Sequence, residues 1–107
     1  MEELRQYRVV FTQTAMSAMR EKALFILRYY LDNGLAREWY RRLRYDLEKE
    51  LSYLPYKYPV YNQGQWQGQG VHVFTIRNDI VLYEIDEDNA AVYIRNIFTR
   101  GKDLTRD

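Results

Sequence analysis

Apolar and polar positions change their repeat several times along this chain, and each change marks an element. Gln6 to Thr12 alternates, with Tyr7, Val9 and Phe11 on one side and Arg8 and Val10 on the other. A repeat of two places successive side chains on opposite faces of a strand. From Ala15 the repeat turns helical. Ala15, Ala18, Met19, Ala23, Ile26, Leu27 and Tyr30 share one face. Thr12 or Thr14 supplies the capping oxygen. Asp32-Asn33-Gly34 is expected to close this helix, with Gly34 in the left-handed conformation. A second stripe follows at once: Ala36, Tyr40, Leu43, Leu47, Leu51 and Leu54, with Arg37, Glu38, Arg41, Arg42, Arg44, Glu48 and Lys49 largely outside it. Pro55 ends it. Two amphipathic helices joined by a short link form an antiparallel hairpin.

Tyr56 to Gln69 has no sustained repeat and carries Pro59, Gly64, Gly68 and Trp66. It reads as a long connecting loop. The last third reads as three strands. Val71, Val73 and Thr75 alternate with His72, Phe74 and Ile76, and Arg77-Asn78-Asp79 is turn chemistry. Ile80 to Ile85 is the next strand, Asp86 to Asn89 a turn, and Ala91 to Phe98 the last strand. Short connections imply an antiparallel meander. The expected fold is α+β in the order β-α-α-β-β-β, a helical hairpin packed on a small antiparallel sheet, with residues 1–107 as one domain.

Composition narrows the function more than it names it. The chain has 107 residues, 47% of them hydrophobic, so disorder is not expected. Its 16 basic and 15 acidic residues nearly cancel. Bulk attraction to nucleic acid is therefore not the binding principle, and any basic site must come from local clustering. With no cysteine and a single histidine, neither a thiolate site nor a multi-histidine metal site is available. No cofactor or metal is expected. The start of the chain lacks a signal-peptide pattern and no apolar run is long enough to cross a bilayer, which points to a soluble cytoplasmic protein with no membrane partner.

His72 is the natural first suspect for acid–base work. A lone mid-strand histidine is more often structural, and no triad partner follows from spacing. Glu84 and Asp86 share a strand face but read as a strand end running into a solvated turn. Arg95, Arg100, Lys102 and Arg106 cluster toward the C-terminus, and Tyr56, Tyr58, Tyr61 and Trp66 precede them in the loop. Arginines interleaved with aromatics suit phosphate contacts and base stacking. The plainer reading is a solvated rim and a set of aromatics that edge a small core.

The block from Gly70 to Leu104 resembles the RelE/ParE superfamily of toxins from bacterial type II toxin–antitoxin systems. Val81-Leu82-Tyr83-Glu84-Ile85-Asp86 fits that family's central strand, and Val92-x-Ile94 and Lys102-Asp103-Leu104 fit its end. Tyr7 to Phe11, Thr14-Ala15 and Leu51-Ser52-Tyr53-Leu54-Pro55 match its first strand, helix start and hairpin exit. The resemblance spans nearly the whole chain in order. It departs where the family places two arginines and a histidine: here stand His72, Asn96 and Thr99.

What the resemblance implies is a toxin neutralised by a cognate antitoxin, in a hetero-oligomer. The long helices resemble the ParE branch, which poisons DNA gyrase by binding. Target contacts would come from Arg95, Arg100, Lys102, Arg106, Trp66 and Tyr61. The alternative is a RelE-like endoribonuclease acting on mRNA in the ribosome. In that case His72 and Tyr83 would move protons, and Arg77 or Arg95 would stabilise charge. A third expectation is a non-toxic relative that keeps the scaffold for protein interaction.

Overall fold

The computed structural model describes residues 4–100. Strand β1, Arg8–Phe11, leads into helix α1, Gln13–Tyr30. Thr12 is the cap: its hydroxyl accepts from the Ala15 amide at 3.2 Å and donates to the Ile94 carbonyl at 2.6 Å. One side chain thus starts the helix and ties it to the sheet.

Helix α2, Asn33–Leu51, follows after a very short turn. The expected stop at Gly34 is corrected here. Leu31, with φ 54°, takes the left-handed conformation, while Gly34 lies inside α2. The reason is Asp32, whose Oδ1 accepts from the amides of Gly34 (2.8 Å) and Leu35 (3.2 Å). An aspartate at this position starts a helix more strongly than the glycine two residues on ends one. Helix α2 stops at Leu51, so Leu54 leaves the predicted stripe; it is exposed, with φ 52°.

The predicted loop Tyr56 to Gln69 is ordered in part. It begins in a 3-10 turn, Pro55–Lys57, and holds another at Gly64–Trp66. Between them Pro59 to Tyr61 runs beside the next strand: the Val73 amide donates to the Pro59 carbonyl at 2.8 Å, and the Tyr61 amide to the Val71 carbonyl at 2.6 Å.

Strands β2 (His72–Ile76), β3 (Asp79–Asp86) and β4 (Ala91–Thr99) form the expected antiparallel meander. Strand β1 adds to β4 in parallel, so the sheet is mixed, with order β1-β4-β3-β2. Direction follows from connectivity, because α1 and α2 return the chain before β2 begins. Both helices cover one face. Ala15, Met19, Leu43, Leu47 and Leu51 pack there on Phe74, Val81, Tyr83, Val92, Ile94 and Ile97.

A bulge explains the last strand. Tyr83 pairs with Ile94 and Leu82 with Asn96, which leaves Arg95 as an extra residue. An inserted residue shifts the alternation by one. Ile94 and Ile97 therefore both reach the core, and Asn96 does not take the place of Ile97.

Candidate functional site

The two residues proposed for proton transfer are together and enclosed. His72 and Tyr83 are register partners on β2 and β3. Their rings stack at 5.3 Å on the face toward the helices. His72 is 9% exposed and Tyr83 fully buried. The Tyr83 hydroxyl donates to the Pro55 carbonyl at 2.6 Å, and His72 Nδ1 lies 2.8 Å from the Tyr58 carbonyl. A carbonyl only accepts, so Nδ1 carries a proton. Burial holds the Tyr83 phenol well above its ordinary range. In the folded chain the protonated phenol donates one hydrogen bond, to Pro55.

The arginines of the proposed cleavage set stand elsewhere. Arg95 pairs with Glu84 on the opposite face of the sheet. Arg77 sits in the β2–β3 turn with φ 53° and pairs with Asp46 of α2 at 2.9 Å. The four residues thus occupy three places, two of them already committed to ion pairs.

The predicted contact residues are brought together in part. The Arg95 guanidinium lies 5.9 Å from the Trp66 ring centre, within range for a cation over an aromatic face. The loop therefore reaches over the outer face of the sheet, the side on which Leu82 is also fully buried. Arg100 is exposed beyond β4, where its amide donates to the Asn78 carbonyl at 2.7 Å. Tyr61 is half-buried and held by its backbone to Val71. Lys102 and Arg106 lie outside the described residues.

Two polar clusters have no counterpart in the sequence reading. At one end of the sheet Glu87 accepts from Tyr7 Oη at 2.7 Å, from Tyr56 Oη, and from Arg5, which also donates to the Glu87 carbonyl at 2.7 Å. These hydrogen bonds hold the Glu87 carboxyl below the usual carboxylate range and push Tyr56 up to about 12. The Tyr56 ring meets His72 edge-on at 6.0 Å, so the cluster runs continuously from a solvated carboxylate to the enclosed histidine. At the other end Asp79, 2% exposed, pairs with Lys22 of α1 and accepts from Trp39 Nε1 of α2 at 2.9 Å. Lys22 also lies 5.2 Å from the Trp39 ring centre. Turn chemistry concealed Asp79, and no spacing rule connects residues so far apart in the chain. No group of acidic and histidine side chains among the described residues suits a metal ion.

No family model matches this sequence, and no curated protein matches it. Solved structures do match its fold. A chain of the toxin–antitoxin complex RelBE2 from Mycobacterium tuberculosis superposes with a TM-score of 0.60 at 20% identity, over 95% of this chain and 100% of that one. A chain of the archaeal RelE–RelB complex from Pyrococcus horikoshii OT3 does so with a TM-score of 0.51 at 19% identity, over 92% and 99%. At these identities the likeness is one of fold, and the fold of this chain, two helices on a four-stranded mixed sheet in the order β-α-α-β-β-β, is RelE-like.

Proposed function

We propose that this chain is the toxin of a toxin–antitoxin pair, works in the cytoplasm, and arrests growth by binding its target rather than by cutting RNA. The fold supports the first part, because the structures that share it come from toxin–antitoxin complexes. One observation carries the second. His72 and Tyr83 stack on the helix-covered face while Arg95 pairs with Glu84 on the other. Phosphate chemistry needs its proton-transfer groups and its cations around one reacting atom. A target-binding surface has no such requirement. Arg95, Trp66 and Arg100 are its proposed contacts, extended by Tyr61, Lys102 and Arg106. DNA gyrase is the proposed target, and the neutralising partner is an antitoxin encoded beside this chain.

Induction in a bacterial host tests the reading in steps. Growth should stop, and co-expression of the adjacent open reading frame should restore it. Purified protein should then inhibit gyrase supercoiling. Normal growth on full induction would leave only the non-toxic interaction protein. New mRNA ends on induction, with supercoiling untouched, would replace binding by RNA cleavage.

A further inference from the structure

The segment between the helical hairpin and the sheet carries no charge from Tyr58 to Val71, and from Gln63 to Gly70 it alternates glutamine with glycine around Trp66. Its ends are tied together. The Tyr61 amide donates to the Val71 carbonyl at 2.6 Å, and the Val73 amide to the Pro59 carbonyl at 2.8 Å. Residues 62–70 therefore leave the β2 edge and return to it at one place, which is the form of an Ω-loop.

The loop is folded on itself. The Trp66 amide donates to the Gln63 carbonyl at 3.0 Å, Gln67 to Gly64 at 3.2 Å and Gln69 to Trp66 at 3.1 Å, and the Gly68 amide donates to Asn62 Oδ1 at 3.4 Å. Its residues are exposed except Trp66, which is half-buried. That ring lies at Arg95, the inserted residue of β4, whose guanidinium also pairs with Glu84 on the outer face. Internal bonds, with one large side chain turned to the sheet, make a unit able to lift without unravelling. Gly70 stands at its neck with φ 71°, and a Cβ there would meet nothing within 4 Å. Space does not call for glycine at that position; the backbone conformation does.

We infer that residues 62–70 are a lid on the outer face of the sheet, latched by Trp66 on Arg95 and hinged at Gly70. A hinge is a residue at the end of an element that absorbs the change of angle when a lid moves. Gly70 adjoins the bonded neck, so the loop can swing there while Tyr61 and Val71 stay paired. Closed, the indole occupies a face of the guanidinium. Open, Arg95 and the indole ring are both presented to solvent. The lid thereby regulates the contact surface proposed above; it rests on that reading for its purpose, and its test stands without it.

The test is acrylamide quenching of Trp66 fluorescence in Trp39→Phe, where Trp66 is the sole tryptophan. Circular dichroism would verify the fold of each variant. Trp66 should be shielded in this parent. Arg95→Ala should raise the ratio of open to closed lid about two- to fivefold, the range for losing an exposed cation over an aromatic ring, and quenching should rise with it. Part of that rise comes from baring the ring itself, so Gly70→Ala decides. It leaves Arg95 in place, strains the closed backbone alone, and should raise quenching as well. In a fixed loop the same strain would lower the urea midpoint while Trp66 stayed shielded, and that result overturns the proposal. So does a parent whose Trp66 is quenched as freely as N-acetyltryptophanamide, or an Arg95→Ala whose quenching is unchanged. Should Trp39→Phe not fold, the two indole N–H signals of the unmodified chain replace fluorescence. Gly70→Ala should then move the Trp66 signal toward its unfolded position and leave that of Trp39 in place; an unmoved Trp66 signal overturns the lid. No target and no growth enter the measurement, so a harmless chain could still pass and a toxic one fail.

Discussion

His72 and Tyr83 face each other across β2 and β3 with their rings 5.3 Å apart and 20° from parallel. The pair is closed on the inner side by the Pro55 and Tyr58 carbonyls. Tyr83→Phe keeps the stack and removes the donor to Pro55. A buried carbonyl without its donor costs about 1–3 kcal/mol, so urea denaturation should show a loss in that range. Growth inhibition should persist at temperatures where the variant is folded. Abolished toxicity in a folded Tyr83→Phe would return Tyr83 to the catalytic set.

Asp79 joins three elements. It receives Lys22 from α1 and Trp39 from α2 at the start of β3. Removing one partner of a buried pair leaves the other charge uncompensated, at about 3–5 kcal/mol. Asp79→Ala should fall near the lower end, because Lys22 keeps some access to water. Asp79→Asn should cost less, since its amide oxygen still accepts from Trp39. Equal stabilities for the two variants would show that the indole hydrogen bond contributes nothing once the ion pair is gone, and Asp79→Asn as stable as the wild type would show that the ion pair contributes nothing beyond it.

The sequence was most informative where one face of an element is buried. Element order, both helices and the three meander strands follow from repeats that packing enforces, as Leu43, Leu47 and Leu51 illustrate. It was least informative where one residue competes with another. Asp32 outweighs Gly34 at the helix turn, and the inserted Arg95 shifts the alternation of β4. The direction of β1 was illegible because alternation is the same in parallel and antiparallel strands. The Glu87 cluster was illegible for a different reason. It collects Arg5, Tyr7 and Tyr56 from separate segments, and only closure of the sheet brings them together.

That cluster makes stability depend on pH at both ends of the scale. Glu87 ionises below its ordinary value of 4.5 in the folded chain, held there by Tyr56, then Tyr7, with Arg5 assisting. Its contribution is complete above the unfolded value and fades as pH falls through the folded one. Tyr56 behaves in the opposite sense. Its contribution is complete below the ordinary value of 10.0 and fades as pH rises through about 12. NMR titration of ring-labelled tyrosine should place Tyr56 above the ordinary phenol range, and Glu87→Gln should return it toward 10.0. A Tyr56 midpoint that does not respond to Glu87→Gln would refute the shared hydrogen bond.

Leu31 stands where its backbone conformation costs more than its burial returns. Its φ of 54° places a branched side chain where the left-handed conformation costs an ordinary residue about 1–2 kcal/mol. At 87% exposure its side chain recovers little of that by burial. Glycine removes the strain but loses more backbone entropy on folding, about 0.5–1 kcal/mol. Leu31→Gly should therefore be more stable than the wild type by up to about 1 kcal/mol, measured by urea denaturation. Destabilisation instead would mean that Leu31 packs within the chain.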